Sequence, residues 1–214
     1  NAGFKPLLRE KAPFFLLSII SSIITYSVQK SAGAVASSIA LPLQMRVCNA
    51  ISGYAFYVQK TFLPFNLAVI YPLPSSIDWL RVFVAASLLL GIAFIAMKSA
   101  AARPFCLFGW LWFVGVLVPV IGIVQVGFQS AADRYSYLPS LGLIVMVVWG
   151  IGSLTKNRTV CSSLFTLAVI LAAALSFATR KQINHWSDSE TLFRHAIEVT
   201  SENTVAHYSL GSAL

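Results

Sequence analysis

The stretch "AADRYSYLPSLG", residues 131–142, decides how the chain is interpreted, because it places adjacent opposite charges between two long apolar runs. Asp133 and Arg134 come first, and two tyrosines follow them. Pro139 suits the first turn of a helix, where no intrahelical N–H is lost. Tyrosine rings are favoured at the depth of lipid headgroups. The stretch therefore predicts a helix that enters a membrane at this point.

The composition is that of an integral membrane protein. Of the 214 residues, 57% are hydrophobic and 10% are charged, and the mean hydropathy is +0.78, well above that of a soluble domain. The 15 Lys and Arg exceed the 7 Asp and Glu. These basic residues lie at the ends of apolar runs, where they set topology, and form no continuous face for nucleic acid. We expect no nucleic-acid partner.

Five apolar runs approach the roughly 20 residues that cross about 30 Å of hydrocarbon. They are residues 13–28, 79–97, 105–124, 137–154 and 160–178. We therefore predict an all-α, polytopic membrane helix bundle over residues 1–179. Basic clusters precede the first run and fill two of the short turns, and the positive-inside rule assigns them to the cytoplasm. Residues 131–142 and the C-terminal tail are then expected on the periplasmic or lumenal side.

The long connection between the first two runs contains a predicted helix near residues 44–60. Its narrow polar stripe includes Arg46, Asn49, Gly53 and Lys60, and aromatic and aliphatic residues cover the remainder. Such a helix lies in the membrane interface or re-enters the protein. Two interpretations remain open: a structural helix on the surface, or a helix whose two basic side chains contact a lipid-linked phosphate.

Asp133 and Arg134 also allow two interpretations. They could form an ion pair or brace at the membrane boundary, or they could contact substrate or position a catalytic loop, since ionisable groups at a membrane edge are functional candidates by default. The three histidines, His185, His195 and His207, have a spacing unsuited to one metal site. We interpret them as packing residues and assign no metal site.

Residues 180–214 differ from the rest of the chain, because they are polar and have the period of two amphipathic helices joined at "SEN". Two such helices need a further partner to bury their apolar faces, which predicts the start of a soluble helical array. The chain begins without Met and stops within a predicted helix. We expect it to be a piece of a longer protein.

The order of these features resembles the transmembrane and tetratricopeptide repeat-containing O-mannosyltransferases and their bacterial relatives. A motif close to "DRYLYLPSLG" is a hallmark of that family, and residues 133–142 match it except at Ser136. The tail "HWSDSETLFRHAIEVTSENTVAHYSLGSAL" is similar to the second helix of one tetratricopeptide (TPR) unit followed by the first helix of the next. Ser201 stands where the repeat usually has proline.

The resemblance implies the C-terminal part of a GT-C type fold and a membrane glycosyltransferase. Such enzymes take a sugar from a polyprenyl or dolichyl phosphate carrier and transfer it to protein on the periplasmic or lumenal face. It also implies location in the inner or plasma membrane if the protein is bacterial, and in the endoplasmic reticulum if it is eukaryotic. The catalytic carboxylate of this fold usually lies in an earlier outer loop, so we assign no catalytic residue here, and the sequence names no cofactor.

In such an enzyme this chain would supply the part of the site that binds the lipid carrier of the sugar. Charge and aromatic character at interface depth give the candidates for binding substrate or lipid phosphate. They are Arg46, Lys60, Asp133, Arg134, Tyr135 and Tyr137. The expected partners are a lipid-linked sugar donor and a protein bound by the repeats. The alternative is a non-enzymatic, membrane-anchored repeat scaffold; a transporter is disfavoured, because the runs hold no ionisable pairs and no half-repeat.

Overall fold

The computed structural model describes residues 4–31, 42–123, 127, 129–154 and 157–214. Two short strands, β1 (Tyr71–Pro72) and β2 (Gln129–Ala131), pair antiparallel. A 3-10 turn at Asp133–Ser136 directly precedes the helix that starts at Tyr137, and another at Asn184–Trp186 directly follows the helix that ends at Ile183. The helices are α1 (Phe4–Ser31), α2 (Leu43–Phe62), α3 (Trp79–Ser99), α4 (Pro104–Leu117), α5 (Tyr137–Leu154), α6 (Arg158–Ile183), α7 (Ser189–Val199) and α8 (Thr204–Ala213). The prediction of an all-α polytopic bundle is confirmed.

Four helical segments in the described part of the chain are long and apolar enough to cross a membrane. They are Arg9–Val28, Trp79–Ser99, Asp133–Ser153 and Arg158–Trp186, which correspond to the first, second, fourth and fifth predicted runs. The segments in α1 and α6 contain no buried residue in the described structure. A helix that is apolar on all sides and uncovered by protein is stable in lipid, so these two helices fit the membrane.

Helix α4 differs from the predicted third span, residues 105–124. It ends at Leu117 after 14 residues, which is about 21 Å and shorter than the hydrocarbon core. Pro119 explains the end, because proline has no N–H to donate and its ring blocks the carbonyl four residues earlier. Residue 124 lies outside the described residues, so a crossing by this segment stays a prediction.

Helix α6 continues beyond the predicted fifth span. It runs to Ile183, across the boundary that the sequence suggested between residues 179 and 180. Asn157 caps its start, since the Asn157 side chain accepts a hydrogen bond from the Thr159 N–H. The apolar run and the polar tail are therefore joined by one continuous helix.

The core lies where α2, α3, α4 and α5 pack together. Tyr57 of α2 is 1% exposed, and Phe113 and Leu117 of α4 are fully buried. Trp110 stacks on Phe113 with 5.6 Å between ring centroids. The Tyr54 hydroxyl donates to the Val114 carbonyl at 3.0 Å, which links α2 to α4. Aromatic packing of this kind adds about 0.5–1.5 kcal/mol per ring pair beyond area burial.

Helix α2 is embedded in the bundle more deeply than its predicted polar stripe suggested. Asn49 and Gly53, two members of that stripe, are buried. A Cβ atom at Gly53 would lie 3.1 Å from Ile121 Cδ1, so the missing side chain lets the α4–β2 connection pack against the helix. The structure therefore buries one face of α2, which a helix lying only on the surface would expose.

Helices α4 and α5 come into backbone contact at Gly109 and Gly142. A Cβ atom at Gly142 would lie 2.3 Å from the Gly109 carbonyl oxygen, and one at Gly109 would lie 2.4 Å from the Gly142 carbonyl oxygen. Small residues allow this approach between membrane helices, where van der Waals packing drives association. The Trp112 indole N–H also donates to the Leu138 carbonyl at 2.9 Å, across the same pair of helices.

We predict that Gly142→Ala destabilises the bundle by about 1–3 kcal/mol, because the added methyl overlaps a backbone oxygen that cannot rotate away. Thermal unfolding of the full protein in detergent, followed by circular dichroism, measures the loss. Gly150→Ala on the same helix is the matched control, since a Cβ there meets nothing within 4 Å. Equal melting temperatures for the two variants would contradict the close contact.

Candidate functional site

Tyr57 attaches the segment before α5 to α2. Its hydroxyl donates to the Ala132 carbonyl at 3.3 Å and accepts from the Ala132 N–H at 3.1 Å. Ala132 is fully buried. Burial raises the pKa of Tyr57 to about 12, so the hydroxyl keeps its proton at neutral pH. This reciprocal pair fixes the backbone immediately before Asp133.

Tyr71 of β1 holds the Asp133 side chain. The Tyr71 hydroxyl lies 3.2 Å from each carboxylate oxygen of Asp133 and accepts from the Ala68 N–H at 2.9 Å. Burial, reinforced by the Asp133 charge, raises the pKa of Tyr71, so its hydroxyl remains a donor. Asp133, predicted as a candidate, is thus held by a tyrosine 62 residues earlier in the chain.

Lys60 reaches the same tyrosine from the end of α2. Its ammonium group donates to the carbonyls of Phe65 and Asn66, and it lies 5.4 Å from the ring centroid of Phe56 and 5.8 Å from that of Tyr71. Burial lowers the pKa of Lys60, and the Asp133 charge partly opposes that change. The structure therefore brings the predicted residues Lys60 and Asp133 together around Tyr71.

A cleft of about 560 Å³ opens beside Tyr71. Its walls come from α2, the segment between β1 and α3, the start of α3, and the turn between α7 and α8. The polar side chains in these walls include Asn49, Lys60, Ser75, Arg81 and Glu202. Asp133 does not line the cleft in the described structure; it holds Tyr71, which does.

An apolar groove of about 270 Å³ lies between α2 and α3 and adjoins the cleft. Ala55, Val84, Ala85 and Leu88 line it. Arg81 lines both spaces, as do Ser52, Phe56 and Gln59, so it is the charged residue at the boundary between the polar cleft and the apolar groove. Asp78 caps α3 at this point by accepting from the Arg81 N–H at 3.0 Å.

Asn49 lines the cleft and carries an unused donor. It is 8% exposed, and its Nδ2 atom is buried without a hydrogen-bond partner among the described residues. A buried amide left unpaired costs about 1–3 kcal/mol. This cost would be removed by an oxygen atom of a ligand or of an ordered water.

Arg134 and Tyr135, both predicted candidates, form a pair of their own. The Arg134 guanidinium carbon lies 4.9 Å from the ring centroid of Tyr135, and its Nη2 donates to the Tyr135 hydroxyl at 3.3 Å. Gln129 donates to the same hydroxyl at 2.9 Å. Asp133 and Arg134 thus have different partners, and the ion pair between them that one of the two interpretations allowed does not form in the described structure. Ser136 donates its hydroxyl to the Asp133 carbonyl at 2.7 Å.

The remaining two candidates lie elsewhere. Tyr137 is 83% exposed at the start of α5. Arg46 lies near the start of α2, fourteen residues before Lys60, a distance of about 21 Å along the helix. The structure therefore does not bring Arg46 and Tyr137 into the group around Tyr71.

Sequence reasoning did not select Tyr71 or Arg81 for the site, and it placed Asn49 only in the polar stripe of the predicted helix. The signal for Tyr71 was a tyrosine inside the apolar segment "LAVIYPLP", where a buried hydroxyl needs a partner. Arg81 gave no signal beyond that of a basic residue near the end of an apolar run, where such residues set topology. No three His, Cys, Asp or Glu of the described residues are grouped so as to hold a metal ion. The rings of His185 and His195 stack at 3.8 Å.

We predict that Tyr71→Phe destabilises the protein by about 1–3 kcal/mol, because Ala68 loses its acceptor and Asp133 loses its donor in a partly buried setting. Thermal unfolding of the full protein in detergent measures the change. Tyr208→Phe is the matched control, since Tyr208 is 77% exposed. Equal stability of the two variants would contradict the role given to the Tyr71 hydroxyl.

The chain is similar to part of several curated proteins. It is 32% identical over 111 residues to "Protein O-mannosyl-transferase TMTC1" of Homo sapiens, which covers 50% of this chain and 12% of that protein. It is 33% identical over 153 residues to "Protein O-mannosyl-transferase TMTC4" of Mus musculus (67% of this chain, 20% of that protein). It is 28% identical over 131 residues to "Protein O-mannosyl-transferase Tmtc2" of Drosophila melanogaster (61% and 12%).

The chain thus matches a fifth or less of the length of each of these relatives. No protein-family model matches it, and no solved structure is significantly similar to it. The membrane-length helices and these similarities show that the chain is an integral membrane protein. The similarities also show that it is a partial homologue of the TMTC group of protein O-mannosyl-transferases.

Proposed function

We propose that the full protein is a membrane glycosyltransferase that moves a sugar from a polyprenyl or dolichyl phosphate carrier to a protein acceptor. The similarity to proteins named O-mannosyl-transferases supports the reaction class. The observation that carries the donor assignment is the position of Arg81, where the polar cleft meets the apolar groove.

A lipid-linked sugar has three chemical parts, and matching surfaces follow one another along α2 and α3. The isoprenoid chain suits the apolar groove, the phosphate suits Arg81 and Lys60, and the sugar hydroxyls suit the amide and hydroxyl groups of the cleft. Guanidinium groups bind phosphate through paired N–H donors. The unpaired amide of Asn49 would donate to a ligand oxygen within the cleft.

In the proposed transfer an acceptor hydroxyl oxygen bonds to the anomeric carbon as the bond from that carbon to the phosphate oxygen breaks. The carrier phosphate leaves with the electron pair. The hydroxyl proton passes to a base in a part of the full protein other than these 214 residues. Arg81 and Lys60 would stabilise the negative charge that grows on the leaving phosphate. Tyr71 and Asp133 would hold the wall from which Lys60 acts.

The other four candidates have a more distant role in this proposal. Arg46, Arg134, Tyr135 and Tyr137 lie away from the cleft and would contact the carrier or neighbouring headgroups at interface depth. The proposed location of the cleft is the periplasmic or lumenal side, as the positive-inside rule favours for the segments that form it.

We predict that Arg81→Gln lowers the transfer rate about 10-fold to 100-fold, because one charged donor to the leaving phosphate is lost. The measurement uses full protein in lipid vesicles with a polyprenyl phosphate sugar and a peptide acceptor. The Arg81 side chain is exposed, so folding should be unaffected. Arg103→Gln, beyond the other end of α3, is the matched control.

Transfer at the parental rate in Arg81→Gln would refute the donor assignment. A parent protein that binds polypeptide but transfers no sugar from either carrier would favour the non-enzymatic scaffold instead. Arg134→Ala, tested in parallel, is expected to lower transfer through the carrier contact outside the cleft. Unchanged activity of that variant would remove Arg134 from the site.

We predict that Ser187→Cys is labelled from the periplasmic or lumenal side by a membrane-impermeant maleimide. Ser187 is exposed just after α6, and the assay uses full protein whose other cysteines are replaced. A cysteine substituted into the turn between α3 and α4, at Ala101, serves as the control for the cytoplasmic side. Labelling of position 187 only after the membrane is permeabilised would reverse the orientation.

A further inference from the structure

The turn between α7 and α8 forms part of the cleft wall. Val199, Thr200, Ser201 and Glu202 line it, together with residues of α2 and α3. The polar tail was expected to start a separate array, yet its first hairpin contributes directly to the space beside Tyr71. A ligand that fills the cleft would therefore touch both the membrane bundle and this hairpin.

Hydrogen bonds hold the hairpin against the segment that precedes β1. Asn203 Nδ2 donates to the Ile70 carbonyl at 3.1 Å, and His195 Nε2 lies 3.1 Å from the Leu67 carbonyl oxygen. Asn203 Oδ1 also accepts from the Ala206 N–H at 3.1 Å, which caps α8. Asn203 is 1% exposed. The turn that lines the cleft is thus fixed from both of its ends.

Glu202 is the acidic side chain of this turn that is available to a ligand. It is exposed, and its carboxylate has no hydrogen bond or ion pair among the described residues. Asp78, the other acid in the cleft wall, is occupied as the cap of α3. Glu202 has φ +53°, a left-handed conformation that is uncommon for a residue with a Cβ, in the turn just before Asn203 caps α8.

The charges in the cleft wall indicate what Glu202 would bind. Lys60 and Arg81 balance Asp78 and Glu202 when the cleft holds no ligand. A donor phosphate that pairs with the two cations leaves the carboxylate of Glu202 without compensation. Opposite charge in the second ligand would restore the balance, and electrostatic complementarity of this kind gives specificity more than raw affinity.

We propose that Glu202 is a specificity-determining residue that selects acceptor polypeptides with a Lys or Arg beside the hydroxyl that receives the sugar. This inference rests on the proposed transferase function. The hairpin would then act as the acceptor-side wall of the cleft, while α2 and α3 form the donor side. Glu202 orients the acceptor through its cation and takes no part in bond making.

The test compares two acceptor peptides that differ only in a Lys or a Glu next to the same threonine. With the full protein in vesicles, the Lys peptide is expected to have a KM about threefold to fivefold lower at low salt, a difference that shrinks at high salt. The kcat should be similar for both. Glu202→Gln should abolish the preference, and Glu202→Lys should reverse it.

Glu198→Gln is the matched control, because Glu198 is exposed on the preceding helix and does not line the cleft in the described structure. It should keep the parental preference. Equal KM values for the two peptides with the parent protein, or an unchanged preference in Glu202→Lys, would overturn the inference while leaving the transferase function intact. If the parent transfers to neither peptide, the proposed function fails, and the Kd values of the same peptides decide the inference.

Discussion

The reciprocal hydrogen bonds between the Tyr57 hydroxyl and the Ala132 backbone are the constraint on which the site depends. They join α2 to the head of α5 across 75 residues of sequence. With that backbone fixed, Asp133 meets the Tyr71 hydroxyl and β2 pairs with β1. Buried polar groups that lose a hydrogen-bond partner carry a desolvation cost, so these mutual hydrogen bonds contribute to stability.

Packing of a different kind holds the other side of the bundle. Gly109 and Gly142 bring α4 and α5 into backbone contact, and Phe113 of α4 meets the Tyr54 ring of α2 edge to face, with 6.1 Å between the ring centroids. Helix α2 is therefore held on one face by aromatic packing. Its remaining surface, including Ser52 and Gln59, is left to border the cleft and the groove. The same packed helix thus forms part of the core and part of the walls of both spaces.

Both the helix bundle and the polar tail contribute walls to the cleft. Residues of α2, of α3 and of the segment before α3 form one side, and a turn of the polar tail, bound through Asn203 to the Ile70 carbonyl, forms another. The continuous helix α6 leads from the apolar run into this tail. A transferase needs its donor and acceptor close enough for reaction, and holding both in one site replaces a bimolecular encounter with an oriented one. The proposed function and the shared wall are consistent on this point.

The sequence by itself determined the features that depend on composition and spacing along the chain. Apolar length located four membrane-length helices, and Pro139 located the start of α5, because a helix and its solvent are set by local residues. The apolar run overestimated the length of α4, because Pro119 ends that helix inside an unbroken apolar run. It selected Lys60 and Asp133 but not Tyr71 or Asn49. Only the tertiary structure decided those contacts, because hydrogen bonds between residues 60 or more positions apart depend on how the helices pack and leave no periodic signal in the sequence.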